Sequence, residues 1–319
     1  MVARTRYVPD RGLTARMGAT MFLLGLVFVA FVAAIIYILS AVGASDGAIV
    51  LFAVVIGGGM AIGSLLYSDK IALSTAGAYE VSPQQAPELH GVVDRICALA
   101  DMPKPRVAVA NTDIPNAFAT GRNSKRAVLC VTTGLLRRLD REELEGVLAH
   151  EMSHVAHRDV MVMTIASFLA IIAGLMIRFA FYSELFGGGG GRGRRSGTDQ
   201  NTLPVMLIIM LVSIVVYAIS FLLIRLLSRY RELAADRSGA LLTGQPSALA
   251  SALQKVSGSI ARIPTRDLRA AEPLNAFFFV PALTRRQGEM SLSTLFSTHP
   301  SLEKRLEQLA KISRELAKQ

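Results

Sequence analysis

The chain has 319 residues, enough for one or two domains with a sizeable core, but a 52% share of hydrophobic residues and a mean hydropathy of +0.43 are too high for an ordinary water-soluble domain. Its formal net charge of +10 reflects 34 Lys and Arg against 24 Asp and Glu. The arginines gather beside apolar runs and no nucleic-acid-binding motif is present, so the charge reads as membrane-flanking and a nucleic-acid partner is excluded.

The first apolar run follows Arg4, Arg6, Arg11 and Arg16 and carries no charge until Asp46. A second uncharged run, Gly47 to Ser68, comes almost at once. A bilayer core needs about 20 apolar residues per helix, which both satisfy. The first is longer than the apolar region of a secretory signal, and the close second run makes the pair a retained hairpin rather than a cleaved leader.

The stretch after Ser68 has mixed polarity and reads as a folded module. "APELHGVVDRICALADM" is helix-like, "RVAVA" is a short strand, and "AVLCVTTGLL" starts as one. "DREELEGVLAHEMSHVAH" is an amphipathic helix opened by Asp140 as N-cap. Cys97 and Cys130 make no disulfide framework and read as buried free thiols in a reducing compartment.

A third uncharged run, Val160 to Ile177, spans only if its helix continues through Arg178 to Phe181. The Gly187–Gly197 stretch "GGGGGRGRRSG" reads as flexible linker, and a fourth run extends from Gln200 to Ile224. Arg225, Arg229 and Arg231 follow it; with the N-terminal arginines they place both termini on the cytoplasmic side, although Arg192, Arg194 and Arg195 in the linker pull the other way. The chain closes on the helical "SLEKRLEQLAKISRELAK".

Three of the five histidines, His150, His154 and His157, crowd into the end of the amphipathic helix. Residues four apart share a helix face, so His150 and His154 can offer two imidazole nitrogens to one tetrahedral Zn²⁺. Glu151 is placed to take a proton from water at the metal, the pattern H-E-x-x-H of metal-assisted hydrolysis. A third ligand is needed, and "RELAADRSG" supplies a candidate: Glu232 and Asp236 are again four apart on a helix. Glu232 can bind the metal, while Asp236 can accept the other ring N–H of a ligating histidine and fix its tautomer. Alone, that segment could equally be a solvated charged helix. Two membrane crossings separate it from the histidines, however, and at 1.5 Å per residue both ligand sets stand about 10–15 Å from the ends of their runs. His157 and His90 read as structural or solvent-facing side chains, because catalytic zinc keeps one position for water.

With "HEMSH", "RELAAD", the four runs and the length taken together, the chain resembles the HtpX family of membrane-bound zinc endopeptidases over nearly its whole length. "PNAFATG" at Pro115–Gly121 matches a further family motif. The resemblance implies a gluzincin-type catalytic domain with one zinc on His150, His154 and Glu232, Glu151 as general base, and a role in bacterial or archaeal membrane-protein quality control and stress response. Asn116, Ala117, Phe118, Ala119 and Thr120 read either as a plain loop or as an extended segment that pairs with substrate backbone, and the resemblance favours the second. His299, in "STHPSLEK", could donate to the oxyanion of the reaction or could cap and pack the last helix. The Gly/Arg-rich linker and His157 depart from the usual family pattern.

The expected fold is therefore an α+β membrane protein: four transmembrane helices and a mostly helical gluzincin-type zinc protease domain carrying a small β-sheet. Residues 1–68 form an arm and hairpin with spans about 17–40 and 47–68; 69–159 a cytoplasmic catalytic module; 160–224 a second hairpin with spans about 160–181 and 201–224; and 225–319 a second cytoplasmic module. Expected partners are the lipid bilayer and misfolded membrane-protein or unfolded polypeptide substrates at a bacterial or archaeal inner membrane. The small-residue surface "GGGMAIGS" serves either oligomerisation or packing within one chain. Two other readings compete: a CAAX prenyl-protein endopeptidase, disfavoured because that family is longer with more spans, and a non-catalytic scaffold stapled by metal. Structural zinc sites are usually closed by four protein ligands, which argues against the scaffold.

The topology makes a prediction. Reporter fusions after Met102 and Lys318 should read cytoplasmic, and fusions within 41–47 or 187–197 should read external. A cytoplasmic signal from the glycine-rich linker would break the hairpin that returns Glu232 to the histidines.

Overall fold

The computed structural model describes residues 11–41, 47–187, 202–260, 262 and 299–318. Residues 42–46 of the expected first turn, 188–197 of the linker, and Arg4 and Arg6 lie outside them. In chain order the helices before the sheet are α1 (Arg11–Ala41), α2 (Gly47–Leu66) and α3 (Ser68–Ala76). Next come β1 (Ala78–Glu80), α4 (Pro87–Ala100), β2 (Arg106–Ala110), β3 (Ala117–Thr120), β4 (Val128–Thr132), α5 (Thr133–Leu136) and α6 (Arg141–Ala156). The long helices α7 (Asp159–Gly187) and α8 (Thr202–Thr243) follow, then α9 (Pro246–Ile260) and α10 (Leu302–Leu316).

The chain divides into two compact units. Gly18–Gly63 and Met163–Leu227 form the apolar one. Three helical stretches are long and apolar enough to cross a membrane: Arg11–Ile38, Asp159–Tyr182 and Pro204–Thr243. The third apolar run is thus a full-length helix, because it starts at Asp159 and continues past Arg178. In α2 the described apolar part, Val54–Leu66, is shorter. Phe22, Val29 and Leu211 turn more than half their surface outward, which suits helices bathed in lipid rather than water. Of the small-residue surface, a Cβ added at Gly57 would meet Ile172 and one at Gly58 would meet Phe168, whereas at Gly59 and Gly63 it would meet no other side chain within 4 Å.

Met1–Met17, Ser64–Val162 and Ser228–Gln319 form the second unit. Its sheet has the order β1-β2-β4-β3, with β2 and β4 parallel and both outer pairs antiparallel. Strand alternation sorts the side chains onto two faces. Val107, Val109, Ala117, Leu129 and Val131 join buried residues of α4, α6, α9 and α10 in the main core. Ala108, Ala110, Phe118, Val128 and Cys130 close on Ala72 of α3. Every residue of β4 is buried, as expected of a strand covered on both faces. The segment 117–120, legible in the sequence only as loop or extended chain, is the edge strand β3.

Helix α6 begins where the N-cap signal placed it. Asp140 accepts from the Glu143 N–H at 2.9 Å while Glu143 accepts from the Asp140 N–H at 3.1 Å, a reciprocal capping box. The helix packs between α4, α9 and β3, so almost every residue from Glu143 to Val155 is buried. It stops at His157, after which Arg158 adopts a left-handed φ of 55° and redirects the chain into α7. Beyond the fourth apolar run, α8 continues without interruption to Thr243, so Glu232 and Asp236 ride on the same helix as the run rather than on a separate one.

The burial of both thiols has a measurable consequence. Burial pushes the Cys97 pKa up to about 11 and the Cys130 pKa up to about 12, leaving almost no thiolate at neutral pH. Iodoacetamide should label neither in the folded protein and both after denaturation. Rapid native labelling of Cys130 would contradict its burial within strand β4.

Candidate active site

His150 and His154, one turn apart on α6, bring their Nε2 atoms to 3.3 Å from each other. Glu232 of α8 faces both: its Oε1 lies 3.5 Å from His154 Nε2 and its Oε2 3.7 Å from His150 Nε2. The approach requires a glycine. A Cβ on Gly239 of α8 would fall 2.9 Å from the His150 backbone nitrogen and 3.1 Å from its Cα, so the two helices cross backbone to backbone at the first histidine.

The far side of each ring fixes its tautomer. His150 Nδ1 lies 2.9 Å from Asp236 Oδ1, and His154 Nδ1 lies 2.6 Å from Asp159 Oδ2. An ionised carboxylate only accepts, so each Nδ1 carries the proton, and a ring that is neutral presents its lone pair at Nε2. With both rings neutral, two lone pairs would face each other at 3.3 Å with a carboxylate on the same side and repel unless a cation, a proton or a metal, sits among them. A tetrahedral zinc with bonds of about 2.1 Å has ligand atoms about 3.4 Å apart, close to the three observed separations. Among the described residues His150, His154 and Glu232 are the group whose donors converge in this way, and the set fits a metal ion. The electrostatics agree: burial would lower the His150 pKa, but the facing carboxylates of Asp236 and Glu232 outweigh it and push it up to about 9. The pocket draws in positive charge, and a proton and a metal compete for the same nitrogen.

Glu151 points elsewhere. It is 5% exposed, its pKa is raised by burial, and its Oε2 accepts the Ala119 N–H at 3.2 Å. That contact fixes the register of β3. Backbone groups of alternate residues face alternate sides. Asn116 bonds toward β4, its carbonyl accepting the Thr132 N–H at 3.0 Å. Phe118 and Thr120 therefore pair with β4, while Ala117 and Ala119 turn their N–H and C=O groups to the free edge beside α6. The Phe118 side chain is buried under the sheet, and Asn116 and Thr120 are buried as well.

His299 approaches Glu232, with Nδ1 3.0 Å from Oε2. It does not cap the last helix; Ser301 does, accepting from the Lys304 N–H. His157 ends α6, and His90 Nε2 sits 3.0 Å from the Val81 carbonyl, so neither joins the ligand group. Three neighbours were not legible in the sequence as parts of the site. Arg305, 2% exposed, grips Asp236 with two hydrogen bonds of 2.7 and 2.6 Å. Asp159 and Arg231 meet at 2.9 Å behind His154. The one available signal was an aspartate at the mouth of an apolar run; Arg305 offered none, since its role depends on α10 folding back against α8.

Known proteins bear on this geometry. Residues 83–313 match the model of peptidase family M48. Protease HtpX homolog 1 of Streptomyces coelicolor is 59% identical over 98% of this chain and 97% of its own. Protease HtpX homolog of Moorella thermoacetica is 50% identical over 96% of each chain. A solved structure, that of Ste24p from S. mikatae, superposes with a TM-score of 0.52 at 15% identity, covering 94% of this chain and 66% of the other, which supports the fold alone. A nearly full-length match to the relatives and a donor set that fits a metal converge on one placement: the chain belongs to peptidase family M48, the metalloproteases.

Proposed function

We propose that this protein is a membrane-bound zinc endopeptidase that cuts misfolded or damaged membrane proteins and unfolded polypeptides on the cytoplasmic side of a bacterial or archaeal inner membrane. The facing Nε2 atoms of His150 and His154, 3.3 Å apart with Glu232 alongside, carry the reading. Both termini and the modules at 69–159 and 225–319 lie in the cytoplasm, and two hairpins anchor them.

Zinc held by His150, His154 and Glu232 would supply Lewis acidity toward a peptide carbonyl and acidify water. Around it the side chains divide the work. Glu151, one residue past the first ligand, takes the proton of the attacking water and delivers it to the leaving nitrogen. Its raised pKa, caused by burial, brings it nearer to that task than an exposed glutamate. The outward N–H and C=O of Ala117 and the outward C=O of Ala119 receive an extended substrate as an added strand, so binding depends on backbone more than on side-chain identity. His299, beside Glu232, is placed to donate to the developing oxyanion. Asp236 holds His150 in its working tautomer. A metal-stapled scaffold would not need Glu151 within reach of an open strand edge.

Substitutions separate these roles. In purified full-length protein, Glu151→Gln should abolish casein cleavage with zinc still bound, since the amide cannot accept the proton although the ligands remain. Glu232→Ala should lose metal and activity together, and Asp236→Ala should weaken affinity or activity about 10–100-fold. Zinc retained in Glu232→Ala but lost in Asp236→Ala would reverse the two assignments.

The strand reading has its own check. Ala119→Pro removes the outward N–H that orients Glu151, crowds the open edge and spares the β4 ladder, so cleavage should slow severely with zinc near stoichiometric. Phe118→Pro, by contrast, removes a donor to β4 and should damage the fold. Normal turnover by Ala119→Pro would remove the substrate role from β3.

A further inference from the structure

Each candidate zinc-binding histidine is backed by a carboxylate, and each carboxylate by an arginine, buried in the case of Arg305 and half-buried in the case of Arg231. His150 leans on Asp236, which Arg305 grips. His154 leans on Asp159, which Arg231 grips. The second relay belongs to no motif in the chain. Asp159 is 2% exposed, and its Oδ2 receives both His154 Nδ1 at 2.6 Å and Arg231 Nη2 at 2.9 Å. Its placement rests on the left-handed Arg158, which ends α6 and starts α7 so that the first residue of α7 turns back under the last turn of α6. Arg231 immediately precedes Glu232 on α8.

We propose that Asp159 and Arg231 are a positioning pair for the metal site. Asp159 keeps the His154 proton on Nδ1 and the lone pair on Nε2, where the metal needs it. Arg231 keeps Asp159 aimed at the ring, and in doing so ties the α8 turn that carries Glu232 to the helix end that carries His154. A single contact chain thus registers two ligands from helices distant in sequence. A neutral group in place of Asp159 would free the ring to present a protonated Nε2 to the metal. This inference rests on the zinc reading above.

The test uses full-length protein in detergent, with zinc affinity measured by chelator competition and the visible spectrum of the Co²⁺-substituted protein as a readout of ligand geometry. Asp159→Ala should weaken zinc about 10–100-fold and alter the cobalt spectrum, with Asp159→Asn in between, since its amide oxygen can still accept from Nδ1 but carries no charge. Arg231→Met should weaken zinc as well, and Arg231→Lys, which restores the charge, should recover most of the loss. If Asp159→Ala does not fold, Asp159→Asn and the two Arg231 variants carry the same comparison. Variants that unfold more readily yet keep wild-type zinc affinity and cobalt spectrum would reduce the pair to a structural ion pair and overturn the proposal. Wild-type protein that takes up no zinc would instead overturn the endopeptidase reading, and this one with it.

Discussion

Two imidazole Nε2 atoms held 3.3 Å apart beside a buried carboxylate are a configuration that no apolar core would tolerate without a reason. Holding them there takes most of the unit that carries the sheet. Helix α6 must be capped at Asp140 and pinned by α4, α9 and β3 so that both rings project from one face. Helix α8 must come close enough for Glu232 to reach them, which Gly239 allows. Both Nδ1 atoms must be engaged from behind, which draws in Asp236, Asp159 and their arginines. Buried charge of this density persists because each carboxylate is paired and hydrogen-bonded; removing one partner of such a pair strands the other at a cost of about 3–5 kcal/mol.

The same helix sets the open edge. β3 is the last strand of the sheet, and its outward groups belong to Ala117 and Ala119, residues with almost no side chain to obstruct an incoming strand. Glu151 already occupies the Ala119 N–H, so the proposed base and the strand edge are mutually oriented by one 3.2 Å hydrogen bond. On the proposed substrate-strand reading, a protease built in this way would read extended backbone.

Much of this was legible in residue patterns whose causes are local. The i, i+4 spacing of His150 and His154, the box between Asp140 and Glu143, the strands Val107–Val109 and Leu129–Val131, and the pairing of Glu232 with Asp236 on one helix face all follow from helix and strand periodicity. What was illegible depends on tertiary approach. Arg305 gains meaning only when α10 folds onto α8, and Asp159 only because Arg158 takes a left-handed turn that is rare for a side chain of its size. Gly239 looks like a blemish in a helical pattern until the backbone of His150 is found against it. The edge strand was ambiguous for a related reason: four residues are too few for alternation to declare itself, and their partner β4 lies later in the chain.

The crossing at Gly239 also bears on how tightly such a site can hold its ion. With backbone against backbone, no flexible side chain stands between the two helices, and the separation of His150 from Glu232 has few torsions through which to drift. The glycine costs about 1 kcal/mol of helix propensity, a loss taken once, at folding. An arriving cation then meets donors whose ordering entropy has already been spent, so more of its coordination energy remains as affinity. The absence of one methyl group on α8 acts, in effect, as a contribution to metal binding made before the metal arrives.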